Sequence, residues 1–159
     1  MGLACEPELI IADEPTTALD VTVQAQVLDL LKELTRESQA ALVLITHDLG
    51  VVARYADRVN VMYAGKIVET GTARDIYNDP RHPYTLGLMN SVPKLNNGEK
   101  APLEPIEGQP PDLSNMPPGC SFEPRCPYST EHCRSEQPEL SLISDKHAFA
   151  CWVNVKDVS

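Results

Sequence analysis

The sequence predicts an α/β protein with parallel strands and a C-terminal hairpin, followed by a proline-rich linker and a small cysteine-rich metal module. In the first third of the chain, short apolar runs of strand length stand on either side of an amphipathic helix. Prolines then become frequent, and four of the five cysteines lie beyond residue 119. We therefore divide the chain into residues 1–92, 93–118 and 119–159.

The first predicted strand is the apolar run of residues 9–12, which ends in Asp13, Glu14 and Pro15. Such a run indicates a strand buried on both faces, as in a parallel sheet. Proline stops the strand because it lacks a donor N–H. Ligand chemistry collects at the carboxyl ends of such strands, and successive side chains point to opposite faces. We expect one of the two acids to bind a hard cation and the other to contact a water molecule beside it.

A helix is predicted over residues 21–38, with Asp20 as its N-cap. Four apolar side chains at i, i+3, i+4 and i+7 form one stripe for packing on a sheet: Val27, Leu30, Leu31 and Leu34. Residues 41–45 predict a second buried strand, and the order strand–helix–strand implies a right-handed crossover and a parallel pair. Both strands then end at the same edge, so His47 is expected to lie near the two acids.

The next elements are a hairpin and three short helices. The strands of the hairpin are predicted over residues 58–63 and 66–69. Asp48 is expected to cap the helix before the hairpin and Thr72 the helix after it. A further helix is predicted over residues 84–91.

Proline usage changes after this helix. Seven of the fourteen prolines lie between Pro93 and Pro118, and Asn97-Gly98 is among them. This composition predicts a linker, or a loop laid on a surface, in place of a packed element.

Charge and hydropathy restrict the partners. The net charge is −10, from 23 acidic and 13 basic residues. We expect no nucleic-acid partner, because phosphate binding needs a basic patch. No apolar run approaches the roughly 18 residues of a membrane span. We expect the chain to meet a membrane only through protein partners.

The C-terminal cysteines have the spacing C-x5-C-x6-C-x17-C. They are Cys120, Cys126, Cys133 and Cys151. In a reducing compartment this clustering indicates a metal before a disulfide. Zinc ligands prefer tighter C-x2–4-C pairs, so the wide spacing favours an iron–sulfur cluster, with zinc as the alternative. His132 and His147 are expected to be ordinary polar residues.

Three stretches in this order resemble the ATPases of ABC transporters: residues 9–15 resemble the Walker B motif, residues 16–20 the D-loop and residues 44–48 the switch histidine. The resemblance implies part of a P-loop NTPase core that uses ATP and Mg²⁺. It implies that Asp13 helps hold Mg²⁺ and that Glu14 is the general base for the attacking water. It further implies that His47 contacts the γ-phosphate and that Asp20 lies in a loop that crosses to a partner ATPase.

Residues 81–85 (Arg-His-Pro-Tyr-Thr), the prolines and the cysteine pattern resemble the C-terminal extension of oligopeptide and dipeptide ABC-transporter ATP-binding subunits. That family implies a 4Fe-4S cluster on the four cysteines. It also implies a dimer with a second ATPase subunit beneath transmembrane permease subunits, at the cytoplasmic face of the cell membrane. Other subunits choose the solute.

No P-loop of the form GxxxxGK[ST] and no LSGGQ-type signature occur in the 159 residues. We expect the chain to be the C-terminal portion of a subunit that by itself neither binds ATP tightly nor hydrolyses it. The alternative is a non-catalytic metal-binding interaction module with vestigial ATPase motifs. Retention of Asp13, Glu14 and His47 argues against that alternative.

Overall fold

The computed structural model of this chain describes residues 6–91, 95–96, 99–100 and 105–157. The linker predictions at Pro93, Asn97-Gly98 and Pro102 lie outside the described residues. The chain forms two compact units, Met1–Ala56 and Asp57–Ser159. Helices and strands occur in both units, so the predicted α/β class is confirmed.

The first unit is a strand–helix–strand–helix segment. Its elements are β1 (Leu9–Asp13), α1 (Val21–Ser38), β2 (Ala41–Ile45) and α2 (Leu49–Tyr55). Strands β1 and β2 pair in parallel, with Leu9 opposite Ala41 and Asp13 opposite Ile45. Asp20 caps α1 by accepting hydrogen bonds from two backbone N–H groups, each at 3.0 Å. The predicted parallel pair and its crossover helix are therefore confirmed.

The prediction that the first strand is buried on both faces is wrong for this chain, and so is the prediction that the strand at residues 41–45 is buried. Leu9 and Ile11 are 50% and 64% exposed, and Val43 and Ile45 share their face and exposure. The sheet of the first unit has only these two strands in the described part of the chain. One apolar face of the pair therefore lies open.

The predicted apolar stripe of α1 is also corrected at one position. Leu30 is 54% exposed, whereas Leu28 and Thr35 are buried. Each residue turns a helix by about 100°, so Leu30 points roughly opposite to Leu28. Val27, Leu31 and Leu34 remain partly buried.

The second unit is built on an antiparallel sheet. The sheet contains β3 (Arg58–Tyr63), β4 (Lys66–Thr72), β7 (Ser141–Ser144) and β8 (His147–Phe149), in the order β3-β4-β8-β7. Ala64 and Gly65 join β3 to β4 with positive φ angles of 46° and 79°. Two positive φ angles suit the tight turn of a two-residue hairpin, so the predicted hairpin is confirmed.

Shorter elements complete the second unit. They are α3 (Ala73–Asn78), α4 (Pro83–Asn90), β5 (Leu95–Asn96), β6 (Glu99–Lys100), α5 (Glu131–Ser135) and two 3-10 helices, Glu123–Arg125 and Val155–Asp157. Thr72 caps α3 in a reciprocal capping box with Asp75. Helix α4 begins at Pro83, one residue before the predicted start, with His82 as its N-cap.

The cysteine-bearing residues pack on the hairpin. Strand β8 pairs with β4, with Glu69 opposite Phe149, and Phe122 shares a buried core with Tyr63 and Ile76. Residues from the first and third predicted segments thus form one sheet and one core. The division of the chain at residues 92/93 and 118/119 stays a prediction.

Glu69 anchors the centre of this packing. Its side chain is fully buried, and its two oxygens accept hydrogen bonds from the backbone N–H groups of Arg81 and His82, each at 2.9 Å. Nε2 of His147 on β8 lies 2.7 Å from Oε1 of Glu69. One buried carboxylate therefore ties the hairpin, the start of α4 and the C-terminal strand together.

Candidate functional sites

Glu14 and His47 meet at the shared edge of the parallel pair. Glu14 follows the last residue of β1, and its backbone N–H donates to the carbonyl of Ile45 at 2.9 Å. The φ angle of Glu14 is 45°, a left-handed conformation that is uncommon for a side chain other than glycine and recurs at functional sites. His47 follows β2 by two residues, so the backbone brings both side chains to one edge.

The carboxylate of Glu14 is held by two side chains. Its Oε1 lies 3.0 Å from Nδ1 of His47, and its Oε2 accepts a hydrogen bond of 2.9 Å from the hydroxyl of Thr17. The hydrogen bond to His47 is the largest cause that lowers the pKa of Glu14, and the hydrogen bond from Thr17 is the second. The carboxylate is therefore ionised at neutral pH, and each oxygen keeps a lone pair for a further donor such as water.

The other two acids lie in the same unit. Asp13 is the last residue of β1 and is exposed, where a carboxylate is free to meet a cation. Asp20 is engaged as the cap of α1. The structure thus brings Glu14 and His47 into direct contact and shows Asp20 in a capping role.

Thr17 is a residue of this site that sequence reasoning missed. It lies three residues after Glu14 in a turn closed by a 3.1 Å hydrogen bond from its backbone N–H to the carbonyl of Glu14. The local signal for this contact is the sequence itself: Glu14 is followed by a proline, which favours a turn, and Thr17 brings a hydroxyl three residues later.

The four C-terminal cysteines surround one small cavity in the second unit. Cys120 and Cys133 are buried, and Cys126 and Cys151 are partly exposed. The backbone N–H of Cys120 donates to the carbonyl of Cys133 at 2.7 Å, which fixes two of the loops beside each other. Cysteines separated by 5, 6 and 17 intervening residues thus line the same cavity.

The thiols of Cys120, Cys126 and Cys151 are held in their neutral form. Burial raises the pKa of Cys126 to about 12 and that of Cys151 to about 11, and it also raises the pKa of Cys120. Neighbouring cysteines contribute in the same direction. A neutral thiol is a poor nucleophile, so these cysteines are unsuited to thiol catalysis. A bound cationic group would reverse this balance, because thiolates are the forms that ligate metals.

The side chains around this cavity offer sulfur donors for a metal group. All four cysteines line the one cavity. Within the ranges that the structure covers, no three Cys, His, Asp or Glu side chains are placed to hold a metal ion. Cysteine sulfurs are ligands both of zinc and of iron–sulfur clusters, so the donor set is compatible with either group.

His132 and His147, which were expected to be ordinary polar residues, contact other side chains. The ring of His132 meets that of Trp152 in an edge-on arrangement with centroids 4.3 Å apart, and Nε2 of His147 lies 2.7 Å from Oε1 of Glu69. Neither is among the residues that line the cavity. His82 does line it, and sequence reasoning quoted this residue only as part of the stretch at 81–85.

Comparison with known proteins identifies relatives of both halves of the chain. Residues 68–133 match the family model described as "Oligopeptide/dipeptide transporter, C-terminal region". The dipeptide transport ATP-binding protein DppD of Bacillus subtilis (strain 168) is 56% identical over 154 residues, which are 96% of this chain and 45% of that protein. The oligopeptide transport ATP-binding protein OppD of Salmonella typhimurium is 52% identical over 158 residues, which are 99% of this chain and 47% of that protein.

This chain resembles the C-terminal portion of the oligopeptide and dipeptide transport ATP-binding proteins. The resemblance predicted from the motifs is therefore confirmed. The chain spans about half the length of the curated relatives it matches. A solved structure of cbiO1 from Clostridium perfringens, described as part of the ABC transporter complex cbiONQ, is 32% identical in sequence. The match covers 46% of this chain and 30% of the cbiO1 chain, with a TM-score of 0.44.

None of the helices in the described part of the chain has the length and apolar character that crossing a bilayer requires.

Proposed function

We propose that this chain is the C-terminal portion of the ATP-hydrolysing subunit of an importer for oligopeptides or dipeptides. The observation that carries the proposal is the contact between Glu14 and His47, 33 residues apart in the chain, at the carboxyl edge of a parallel strand pair. The names of the relatives support the ATP-binding role and the peptide substrate class.

The chemistry proposed for this edge is phosphoryl transfer to water. Asp13 would help hold Mg²⁺, which neutralises charge on the phosphates of ATP. Glu14 would accept a proton from the attacking water, since a general base must lie within hydrogen-bond reach of it. His47 positions Glu14 through Nδ1 and would contact the γ-phosphate. Asp20 would lie where a partner ATPase approaches, while it continues to cap α1.

The partners proposed are a second ATPase subunit and transmembrane permease subunits, so that the chain would meet the membrane only through them, at its cytoplasmic face. The open apolar face of β1 and β2 supports a larger assembly, because Leu9, Ile11, Val43 and Ile45 are all at least 44% exposed. Exposed apolar faces of this kind indicate a surface that another element covers. Nucleic acid is not proposed, given the net charge of −10.

We further propose that Cys120, Cys126, Cys133 and Cys151 hold a 4Fe-4S cluster, with zinc as the alternative. The convergence of all four on one cavity supports this ligand set. When bound, the cluster would supply a covalent cross-link among the four loops. A small proline-rich segment gains stability from such a staple. The apolar residues Phe122 and Pro138 also line the cavity.

The proposed ATPase role is tested with a chimera in which this chain replaces the matching stretch of DppD from Bacillus subtilis. We expect the chimera to hydrolyse ATP and to support dipeptide uptake. Glu14→Gln should lower both by at least about a hundredfold, since general-base catalysis contributes roughly 10²–10⁴-fold. Glu8→Gln, an exposed acid before β1, is the matched control and should leave both unchanged.

Uptake that survives Glu14→Gln would contradict the proposed catalytic role and favour the non-catalytic metal-binding module. The isolated 159-residue chain, which has no P-loop, should show no ATP turnover. Turnover by the pure chain that disappears in Glu14→Gln would overturn that expectation.

A further inference from the structure

Gln24 on α1 contacts the segment that carries His47. Its side-chain Nε2 donates a hydrogen bond of 3.0 Å to Oδ2 of Asp48, 24 residues later in the chain. The amide nitrogen is the donor, because an ionised carboxylate only accepts hydrogen bonds. This hydrogen bond is the largest cause that lowers the pKa of Asp48. Asp48 directly follows His47, so the contact ties α1 to the residue beside the histidine.

The second oxygen of Asp48 holds the other neighbouring helix. Oδ1 accepts hydrogen bonds from the backbone N–H groups of Gly50, at 2.8 Å, and Val51, at 3.2 Å, and so caps α2. Hydrogen bonds to an ionised acceptor are stronger than those between neutral groups. One carboxylate thus links α1 to the start of α2.

The backbone at His47 is also closed into a turn. The N–H of Asp48 donates to the hydroxyl oxygen of Thr46 at 3.0 Å, and this hydrogen bond spans His47. Strand β2 ends one residue earlier, at Ile45. His47 therefore lies between the end of a paired strand and an aspartate that is fixed by two helices.

The imidazole of His47 is poorly held by packing. Its side chain is 78% exposed, and Nδ1 lies 3.0 Å from Oε1 of Glu14. An exposed side chain loses rotamer entropy when it is kept in one geometry, and an exposed charged contact is weak by itself. The position of the backbone at residues 46–48 therefore decides how well Nδ1 stays within reach of Glu14.

We propose that Gln24 is a positioning residue, which keeps His47 in contact with Glu14 by holding Asp48 against α1. The proposal rests on the ATPase function proposed for this edge of the strand pair. Without the Gln24 donor, one of the two links of Asp48 is lost, and the turn at residues 46–48 gains freedom. His47 then spends less time beside Glu14, so the carboxylate is less well oriented toward the attacking water.

The kinetic test uses the chimera with DppD and the variant Gln24→Met. Methionine resembles glutamine in length and helix propensity but has no donor. We expect kcat for ATP hydrolysis to fall about tenfold, less than for Glu14→Gln, since a misplacement of about 1 Å can cost up to about a hundredfold. The KM for ATP should stay nearly unchanged, because Gln24 is not proposed to touch the nucleotide. Gln26→Met, the same change at an exposed position of α1, should leave both constants unchanged.

A second measurement follows Glu14 in the 159-residue chain itself. The hydrogen bond to His47 lowers the pKa of Glu14, so a loosened His47 should raise this pKa toward its ordinary value. An NMR titration of the side-chain carboxyl carbon of Glu14 should show the rise in Gln24→Met and not in Gln26→Met. A role of Gln24 in stability alone would leave the pKa of Glu14 in the folded chain unchanged.

The two proposals fail in different ways. If Glu14→Gln stops ATP turnover but either the kcat or the Glu14 pKa is the same in Gln24→Met as in Gln26→Met, the role of Gln24 is overturned and the proposed function stands. Turnover that survives Glu14→Gln defeats the proposed function and this inference with it.

Discussion

Replacing Glu69 with leucine is expected to lower the free energy of unfolding of the second unit by about 3–5 kcal/mol. The carboxylate is fully buried and accepts from the N–H groups of Arg81 and His82 while it contacts His147. Leucine fills similar space but leaves these polar groups buried without a partner. Urea denaturation followed by circular dichroism measures the loss.

Two controls separate this effect from the mere loss of a charge. Glu69→Gln keeps one acceptor oxygen and a similar shape, so we expect a smaller loss than for leucine. Glu139→Leu changes the same residue type at an exposed position just before β7, where surface substitutions usually change stability by less than about 0.5 kcal/mol. Equal stability of Glu69→Leu and Glu139→Leu would show that the buried contacts of Glu69 contribute nothing.

The second large effect is expected at Gly119, which precedes Cys120, the first of the four cysteines proposed as ligands. A Cβ atom added there would lie 2.2 Å from the carbonyl oxygen of Cys133 and 2.6 Å from the carbonyl carbon of Arg134. Both are backbone atoms, which do not move aside as a flexible side chain does. Gly119→Ala should therefore force Cys120 away from Cys133, destabilise the unit by about 1–3 kcal/mol or more, and abolish most iron binding.

Iron and sulfide per chain, measured together with the urea midpoint, test this expectation. Gly50→Ala is the matched control, because its added Cβ would meet only a side-chain oxygen of Asp48, at 3.2 Å. We expect Gly50→Ala to retain the wild-type iron content. A Gly119→Ala chain with full iron content and wild-type stability would mean that the close approach of the two cysteine loops is not required for the site.

Local sequence signals predicted the four elements of the first unit, and the hairpin and the helices α3 and α4 of the second. Asp20 and Thr72 marked helix starts because each side chain satisfies backbone N–H groups that lie next to it in the chain. The parallel pair followed from the order strand–helix–strand, and it placed His47 near Glu14 without any knowledge of side-chain contacts. These signals need only neighbours in sequence or a simple rule of connection.

Long-range contacts were not predictable in the same way. Nothing near Glu69 indicates that β4 pairs with a strand almost 80 residues later, or that this acid is buried beside His147. A lone glutamate in a strand ordinarily indicates an exposed position. The position of His82 was missed for a similar reason. It lines the same cavity as Cys120, Cys126, Cys133 and Cys151, which lie far from it in the chain.

The cysteine spacing predicted the donor set but not its surroundings. The intervals of 5, 6 and 17 residues excluded a compact zinc knuckle pattern, and the structure places all four cysteines at one cavity. Burial raises the pKa of Cys126 and Cys151, and the spacing did not predict that Phe122 and Pro138 line the same cavity.

The central proposal is that the four cysteines jointly hold one iron–sulfur cluster. Its most direct test is the content of iron, acid-labile sulfide and zinc in the chain purified without oxygen. We predict about four irons and four sulfides per chain, with no zinc and with broad visible absorption. One zinc ion per chain and no iron would contradict the cluster. That result would leave the proposed ATPase role intact, because the latter depends on Asp13, Glu14 and His47 in the other unit.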